Sequence, residues 1–503
     1  MSQIPLFLSS LFVLLATFAI GSVNKPNILF ILADDMSFET LRAAQRLDID
    51  TPNLDRLAEK GTMFTGAYNM GSYSPAVCIA SRAMLNSGRF VWNATPPKLR
   101  QCAGNGQFWP QRLQQAGYKT YMAGKWHLPV KADSVFEVVE NVRPGMPADG
   151  YVHKVVAADG HNRKVVPADD ELPPGYNRPV DPEAYQSGWK PWDPEQGGFW
   201  EGGKHWSEVL ADDGITFIQQ AAEEEDPFFM YLAFNAPHDP RQAPKEFVDR
   251  YPLERVEMPD NFLPEYPFAE PAFGKMLRDE RLMPYPRTEY SVQVNRQEYF
   301  AIVTHMDAQI GRILEALEAS GRADNTWIFF TADHGLAVGR HGLSGKQNMY
   351  EHSMRVPFIV VGPEVSAGAR IDTPIYLQDI MPTTLELAGL TEVSGVDFKS
   401  LLPLLKGVEK THYDAVYGAY LDRQRMIRMG DWKLIHYPGI GVERLYNLRE
   451  DPMEMVDLAR PDLARPMNPT TSQRKMQEAL RSALITLGRE MQDPLLSPSK
   501  NKQ

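Results

Sequence analysis

The chain of 503 residues has only two cysteines, Cys78 and Cys102, so it can form at most one internal disulfide. It also lacks an excess of positive charge, because the formal net charge is −12. Since neutralising phosphates requires a basic surface, this balance argues against a nucleic-acid-binding protein. No internal repeat stands out. The polar stretch after Ser497 is the one segment that is predicted to be a disordered end.

Long apolar runs are scarce as well. The run that could enter a membrane covers residues 6–20, about fifteen residues, which is short for a transmembrane helix and typical of a signal peptide. Ala19 and Gly21 supply a small-residue processing site. We therefore expect residues 1–22 to be a cleaved signal peptide, and the mature protein to be exported to a periplasm or the medium without stable membrane insertion.

Apolar residues are abundant in short stretches. They make up 43% of the chain, enough for a large core and two domains. Helical patterns alternate with these stretches, and one opens at Thr51-Pro52 and closes at Gly61. Another runs from Tyr299 to Leu317. This alternation predicts an α/β fold with a large mixed, mostly parallel sheet sandwiched by helices. Its predicted buried parallel strands are residues 28–33, 120–123, 228–234, 327–331 and 358–361.

Three regions depart from this alternation of strand and helix patterns. Residues 141–205, rich in Pro, Gly and Trp, are too long for a plain connection and predict a substrate-facing insertion or lid, with a mobile surface insertion as the alternative. Residues 252–286 form a second insertion-like stretch.

We expect residues 23–395 to be the main domain and residues 396–503 a smaller α+β domain. Its predicted antiparallel strands are residues 416–420, 424–429, 432–437 and 445–448, followed by a helix at 472–491.

Acidic residues follow two of the predicted strands. Asp34 and Asp35 come after the first, and Asp333 and His334 after the fourth. In open α/β sheets, sites form at the carboxyl ends of the strands. Adjacent buried acids repel each other unless a cation lies between them, although a helix N-cap is an alternative role for Asp35. The pattern predicts a site for a hard cation, Ca²⁺ or Mg²⁺.

Basic residues follow the other strands. Lys125 and His127 come after the second, His238 follows the third, and Lys346 lies beyond the Asp333 loop. We expect them to form an electropositive pocket with Arg82, suited to a sulfate or phosphate ester.

Cys78 precedes Arg82 by four residues at the start of a helix-like segment. The cysteine alone allows three interpretations: one half of a disulfide with Cys102, an inert thiol in the core, or a residue with a chemical role. The surrounding polar set favours the third interpretation.

Taken in order, these motifs resemble a type I sulfatase of the alkaline-phosphatase-like superfamily, from about Lys25 through the C-terminal domain. The matching segments are residues 26–35, 51–58, the run around Cys78, Gly124-Lys125-Trp126-His127, Ala236-Pro237-His238, Thr331-Ala332-Asp333-His334-Gly335 and Leu445-Tyr446-Asn447-Leu448 with Asp451-Pro452.

The resemblance implies a modified cysteine and a metal. In that family, a maturation enzyme oxidises the cysteine of Cys-x-Pro-x-Arg to formylglycine, and Cys78 is the corresponding residue, with Ala80 where proline is usual. Cys102 is then a free thiol. The implied ligands of the cation, usually Ca²⁺, are Asp34, Asp35, Asp333 and His334 together with the side chain of residue 78. His334 is similar to the version seen in iduronate-2-sulfatase and in bacterial polysaccharide sulfatases.

The same resemblance implies a mechanism. A hydroxyl of the aldehyde hydrate attacks sulfur while His238, aided by Lys346, protonates the departing alcohol. His127 then takes the proton of the remaining hydroxyl, and sulfate is expelled. Arg82 steadies the hydrate, and Lys125 and Lys346 bind the sulfate oxygens.

Sulfated carbohydrate is the expected substrate, with Arg241 and His341 as candidate sugar contacts. For either residue a surface salt bridge or capping role is the alternative. Two rival functions remain at this point. One is hydrolysis of a phosphodiester or phosphonate monoester, and the other is binding of sulfated glycans without catalysis.

Overall fold

The structure is a computed structural model. It describes residues 25–147, 153–156, 162–165, 174–176, 178–185, 188–273, 277–283, 285–391, 393–460 and 467–497. The predicted signal peptide, the tail after Ser497 and part of the predicted insertion at 141–205 lie outside these residues. Within the described chain, no helix combines the length and apolar character needed to cross a bilayer.

Strands and helices alternate along the described chain, as predicted. The helices are α1 Pro52–Lys60, α2 Val77–Ser87, α3 Pro96–Gly104, α4 Trp109–Gln115, α5 Pro182–Tyr185, α6 Trp206–Ala222, α7 Lys245–Val248, α8 Ala269–Ala272, α9 Arg278–Arg281, α10 Glu289–Ala319, α11 Glu351–Met354, α12 Ile380–Leu387, α13 Leu402–Leu405 and α14 Thr471–Glu490. The strands are β1 Asn27–Ala33, β2 Thr62–Phe64, β3 Ala67–Tyr68, β4 Gly71–Ser72, β5 Lys119–Lys125, β6 Val138–Arg143, β7 His153–Val156, β8 Asn162–Val165, β9 Trp200–Glu201, β10 Lys204–His205, β11 Phe228–Ala233, β12 Thr326–Ala332, β13 Arg355–Val356, β14 Phe358–Val361, β15 Ala369–Ile371, β16 Ile375–Tyr376, β17 Val416–Tyr420, β18 Gln424–Met429, β19 Trp432–Tyr437 and β20 Val442–Asn447.

A central sheet of eight strands carries the fold, in the order β15-β2-β14-β12-β1-β11-β5-β6. Strand β1 lies in its middle, is buried along its whole length and pairs in parallel with β11 and β12. Helix α10 packs against both α1 and α6, and helices α2, α3, α4 and α12 form a separate group. The predicted mixed, mostly parallel sheet with helices packed on it is confirmed.

The prediction that residues 358–361 form a parallel strand is wrong, because β14 runs antiparallel to β12 and β2. A parallel neighbour needs a crossover, usually a helix, that returns the chain to the starting edge of the sheet. Between β12 and β14, where the structure describes every residue, the one α-helix is the four-residue α11, so the chain turns back from the edge where β12 ends. A short apolar run carries no signal of its direction.

The predicted helices are largely confirmed. Helix α1 has Pro52 in its first turn and is followed by Gly61. Helix α10 begins at Glu289, ten residues before the apolar pattern starts, and is capped by the Thr288 hydroxyl, which accepts a 3.0 Å hydrogen bond from the Ser291 N–H. Its first half buries polar side chains such as Asn295 and Glu298. These interrupt the apolar period that sequence analysis relies on.

The second sheet contains β17 to β20, all antiparallel, at nearly the predicted positions. It also takes β4 from the N-terminal part of the chain, which pairs in parallel with β17. The two expected domains therefore share a sheet across the boundary predicted at Gly395.

A buried ion cluster joins the two regions. Lys433, fully buried on β19, lies 2.9 Å from Glu351 and 2.8 Å from Glu454. Glu351 also accepts a 2.7 Å hydrogen bond from the Tyr68 hydroxyl. Burial raises the pKa of Glu454 to about 7, because the attraction of Lys433 offsets only part of the lost hydration.

This cluster predicts a pH dependence of stability. Because the pKa of Glu454 is raised in the folded state from 4.5 to about 7, its contribution to stability is present below pH 4.5 and is lost as pH rises through 7. We expect Glu454→Gln to flatten the fall of the melting temperature between pH 5 and pH 7.5. The exposed Glu450→Gln is the matched control and should keep the wild-type slope. An unchanged slope in Glu454→Gln would contradict this role.

Candidate active site

The site lies where four adjacent parallel strands end. Strands β12, β1, β11 and β5 are consecutive in the sheet, so their carboxyl ends meet at one edge. The residues that follow them, Asp333, Asp34 with Asp35, and His238, converge there with Lys125 from the end of β5. The backbone N–H of Asp35 donates to Asp333 at 3.2 Å, and His238 Nε2 lies 3.6 Å from the Asp35 carboxylate. The predicted meeting of these residues is confirmed.

Three buried carboxylates form the centre of the site. One oxygen each from Asp34, Asp35 and Asp333 and the sulfur of Cys78 all lie within 4.8 Å of one another. Burial raises the pKa of Asp34, and it raises that of Asp35 to about 8. Burial acts the same way on Asp333, but the neighbouring Arg82 and Lys125 outweigh it and hold its pKa at about 2.

This donor set fits a hard divalent cation. The Asp34 Oδ1 atom is buried and has no hydrogen-bond partner, which is costly for a carboxylate unless a cation completes its environment. The other carboxylate donors are Asp35 at the same strand end and Asp333 at the end of β12, and carboxylate oxygens are the type of ligand that Ca²⁺ and Mg²⁺ prefer.

Two lysines contact this centre. Lys125 forms an ion pair with Asp34, and the Lys346 ammonium lies 2.7 Å from Asp35 Oδ1. Lys346 also donates a hydrogen bond of 3.1 Å to Cys78 Sγ. Both lysines are buried, so their charges face the polar groups of the site.

Cys78 is the second residue of α2, a helix in which ten of eleven residues are buried. Both cysteines are free, so the disulfide alternative is wrong for this structure. Burial, together with the charges of Asp333 and Asp34, raises the pKa of the Cys78 thiol well above its usual range. A thiol that stays protonated is a poor nucleophile.

Arg82 lies one helical turn after Cys78 and is fully buried. Its Nε donates to Asp333 at 2.9 Å, and its Nη1 donates to the Lys125 carbonyl at 2.5 Å. The arginine therefore ties α2 to the ends of β12 and β5. It compensates the charge of Asp333 and fixes the direction in which residue 78 points.

The two histidines have different surroundings. His238 Nδ1 lies 2.8 Å from the backbone carbonyl of Asp239, which leaves Nε2 facing Asp35. His127 has a left-handed backbone with φ of 56° and packs so closely on Gly145 that a Cβ there would come within 2.3 Å of the ring. Burial and nearby Lys125 lower the pKa of His127 to about 2.

His334 is buried at the same sheet edge, and its Nδ1 lies 2.9 Å from the Gly335 carbonyl. Its ring nitrogens are not among the atoms that cluster within 4.8 Å around Asp34, Asp35, Asp333 and Cys78. Its assignment as the fourth metal ligand stays a prediction.

The predicted sugar contacts Arg241 and His341 are buried and already engaged. Arg241 lies 3.1 Å from Asp239 and donates at 2.8 Å to the Asn295 side chain. The His341 ring stacks on Tyr350 at 4.1 Å between centroids. Both side chains therefore have structural partners, and their assignment as sugar contacts stays a prediction.

Several polar groups of the site were not predicted from the sequence. The Asn69 side chain donates to the Asp333 carbonyl, and Asp279 accepts a 2.7 Å hydrogen bond from Gln347, next to Lys346. Arg278 Nη2 lies 3.5 Å from His238 Nε2. Asp279 and Arg278 lie in the second insertion-like stretch, where no motif marks them.

Comparison with known proteins identifies the family. A family model described as Sulfatase matches residues 26–390, and one described as N-sulphoglucosamine sulphohydrolase, C-terminal, matches residues 339–482. The chain is 28% identical over 464 residues to a sulfatase of Formosa agariphila, covering 87% of this chain and 83% of that protein. It is 27% identical over 507 residues to an N-acetylglucosamine-6-O-sulfatase of Bacteroides thetaiotaomicron, covering 86% of this chain and 82% of that protein.

Solved structures share the fold. A protein in complex with its substrate D-glucosamine-2-N,6-O-disulfate superimposes with a TM-score of 0.67 at 23% identity, over 93% of this chain and 98% of that one. The phosphonate monoester hydrolase of Agrobacterium radiobacter also superimposes with a TM-score of 0.67, at 20% identity. The match covers 93% of this chain and 96% of that one. Because the Sulfatase model spans most of the sequence, this chain belongs to the sulfatase family, and it is a sulfuric ester hydrolase with the alkaline-phosphatase-like fold.

Proposed function

We propose that this enzyme hydrolyses sulfate esters of carbohydrates, with residue 78 converted to formylglycine and a Ca²⁺ ion held by Asp34, Asp35 and Asp333. Sulfatases generally use both groups. His334 completes this proposed ligand set. We also propose that the mature protein is exported, which fractionation of cells expressing the full chain tests.

The environment of Cys78 carries the proposal. Its sulfur lies among three buried carboxylates and 3.1 Å from Lys346, and the pKa of its thiol is far above the usual range. An unmodified thiol there does not ionise readily, because burial and the charges of Asp333 and Asp34 outweigh the attraction of Lys346. Formylglycine supplies an attacking oxygen at this position, and the cation supplies positive charge beside it.

The remaining residues bind the sulfate and move protons. Lys125 and Lys346 place two positive charges where the sulfate oxygens must lie, which favours the charge that builds up during transfer. His238 presents Nε2 to the site and is the proposed proton donor to the departing sugar oxygen. His127 is the proposed base that accepts a proton in the step releasing sulfate.

Carbohydrate is the proposed substrate class for two reasons. One of the similar curated proteins is named an N-acetylglucosamine-6-O-sulfatase. One of the solved structures with the same fold holds a disulfated glucosamine.

Phosphonate monoester hydrolysis is the second candidate function, because such an enzyme shares the fold. Turnover of an aryl sulfate and of an aryl phosphonate monoester by the purified protein separates the two, and a strong preference for the phosphonate would overturn the first proposal.

Mass spectrometry of the mature protein tests the modification. We expect the peptide containing residue 78 to weigh about 18 Da less than the unmodified peptide, because the thiol becomes an aldehyde. The Cys102 peptide from the same digest is the control and should keep its thiol. An unmodified Cys78 in an active preparation would refute the formylglycine proposal. Elemental analysis of the same sample tests for calcium.

A further inference from the structure

The short helix α9 belongs to the second insertion-like stretch and is clamped to the Lys346 loop. The Glu280 carboxylate accepts a hydrogen bond of 2.8 Å from the backbone N–H of Gly345, and Arg287 holds Glu280 at 2.6 Å. The Asp279 side chain accepts a hydrogen bond of 2.7 Å from the side chain of Gln347, which follows Lys346 in the sequence. The first residue of α9, Arg278, is therefore fixed relative to the proposed catalytic groups.

Arg278 differs from the other arginines near the site in its exposure. Its side chain is 20% exposed, whereas those of Arg82, Arg178 and Arg241 are at most 2% exposed. Its Nη2 lies 3.5 Å from His238 Nε2, the atom proposed to protonate the departing oxygen. The guanidinium contacts Asp279 through Nε and Nη2 and Met146 through Nη1, and the side chain still reaches solvent beside His238, the proposed proton donor.

We propose that Arg278 is a specificity-determining residue that binds a second anionic group, sulfate or carboxylate, on the same sugar as the cleaved sulfate. This inference rests on the proposed carbohydrate substrate. An arginine fork matches both anions geometrically and makes stronger hydrogen bonds to them than to neutral hydroxyls. Because α9 lies outside the motifs that carry the chemistry, the residue selects among substrates rather than performing the reaction.

Competition against aryl sulfate turnover tests this assignment. Wild-type enzyme is titrated with hexosamines carrying one sulfate, with the same sugars carrying a second sulfate, and with sulfated uronic acids. We expect at least one doubly anionic sugar to inhibit about tenfold better than its monosulfated counterpart, and Arg278→Met to remove that difference. Comparing inhibition by the disulfated sugars with inhibition by the sulfated uronic acids shows whether the second anion is a sulfate or a carboxylate.

The controls separate the possible causes. Arg255→Met removes an arginine of similar exposure from the same stretch and should keep the wild-type preference. Arg278→Lys keeps the charge without the fork and should restore part of the preference. Equal inhibition by both sugar classes in the wild type, or an equal loss for both in Arg278→Met, would overturn the inference. Calorimetric binding of the same sugars gives the same contrast if aryl sulfate is not cleaved, so a failure of the proposed function is recognised separately.

Discussion

Replacing Cys78 by alanine is expected to lower kcat for an aryl sulfate by roughly 10⁵-fold, because the proposed attacking oxygen is lost while the rest of the site remains. The side chain is small and buried, and alanine occupies the same position on α2 without a new polar group. Steady-state kinetics with the purified variant measure the effect, and circular dichroism establishes that the fold is kept.

Two further variants sharpen this result. Cys102→Ala should retain wild-type activity, since Cys102 is a free, partly exposed cysteine on α3. Cys78→Ser should remain inactive, because a serine has one oxygen and cannot regenerate an aldehyde after sulfate transfer. Full activity in Cys78→Ser would show that the residue works as a simple hydroxyl or thiol nucleophile, and formylglycine would then be unnecessary.

Replacing Arg82 by methionine is expected to cost about 3–5 kcal/mol of stability, since it leaves the buried Asp333 carboxylate without its partner. For a domain of this size the melting temperature should fall by roughly 4–6 °C. Turnover should also be lost, because Arg82 fixes α2 and residue 78 against the ends of β5 and β12. Scanning calorimetry and aryl sulfate kinetics measure the two effects.

Arg89→Met is the matched control for this variant. Arg89 follows the same helix and pairs with Asp397 at 3.2 Å, but its side chain is 33% exposed. Exposed ion pairs contribute little, so the expected cost is below about 1 kcal/mol and activity should be kept. Equal losses of stability in the two variants would mean that the buried carboxylates do not depend on Arg82.

Much of the fold follows from local patterns. The strands that precede Asp34, His238 and Asp333 were predicted within a residue or two, because buried parallel strands are continuous apolar runs. The direction of β14 was not predictable, since it depends on how the connection after β12 packs. The early start of α10 was missed because its buried polar residues find partners far away in the sequence.

The site divides in the same way. Residues at strand ends, such as Asp35 and Lys125, could be predicted because the sheet topology brings strand ends together. The partners of Arg241 and His341 could not, since Asn295 and Tyr350 reach them only through packing. Arg278 carries no sequence signal at all, because its place near His238 depends on how α9 is held against the Lys346 loop.

The sequence by itself determined the chemical inventory of this sulfatase: a lone cysteine beside an arginine, with acids, lysines and histidines at strand ends. Only the tertiary structure decided which of them meet, since contacts between Asp35 and Lys346 or between Arg82 and Asp333 join residues hundreds of positions apart. It also decided the charge state of the groups involved. Burial and neighbouring charges, which raise the pKa of the Cys78 thiol, exist only once the chain is folded.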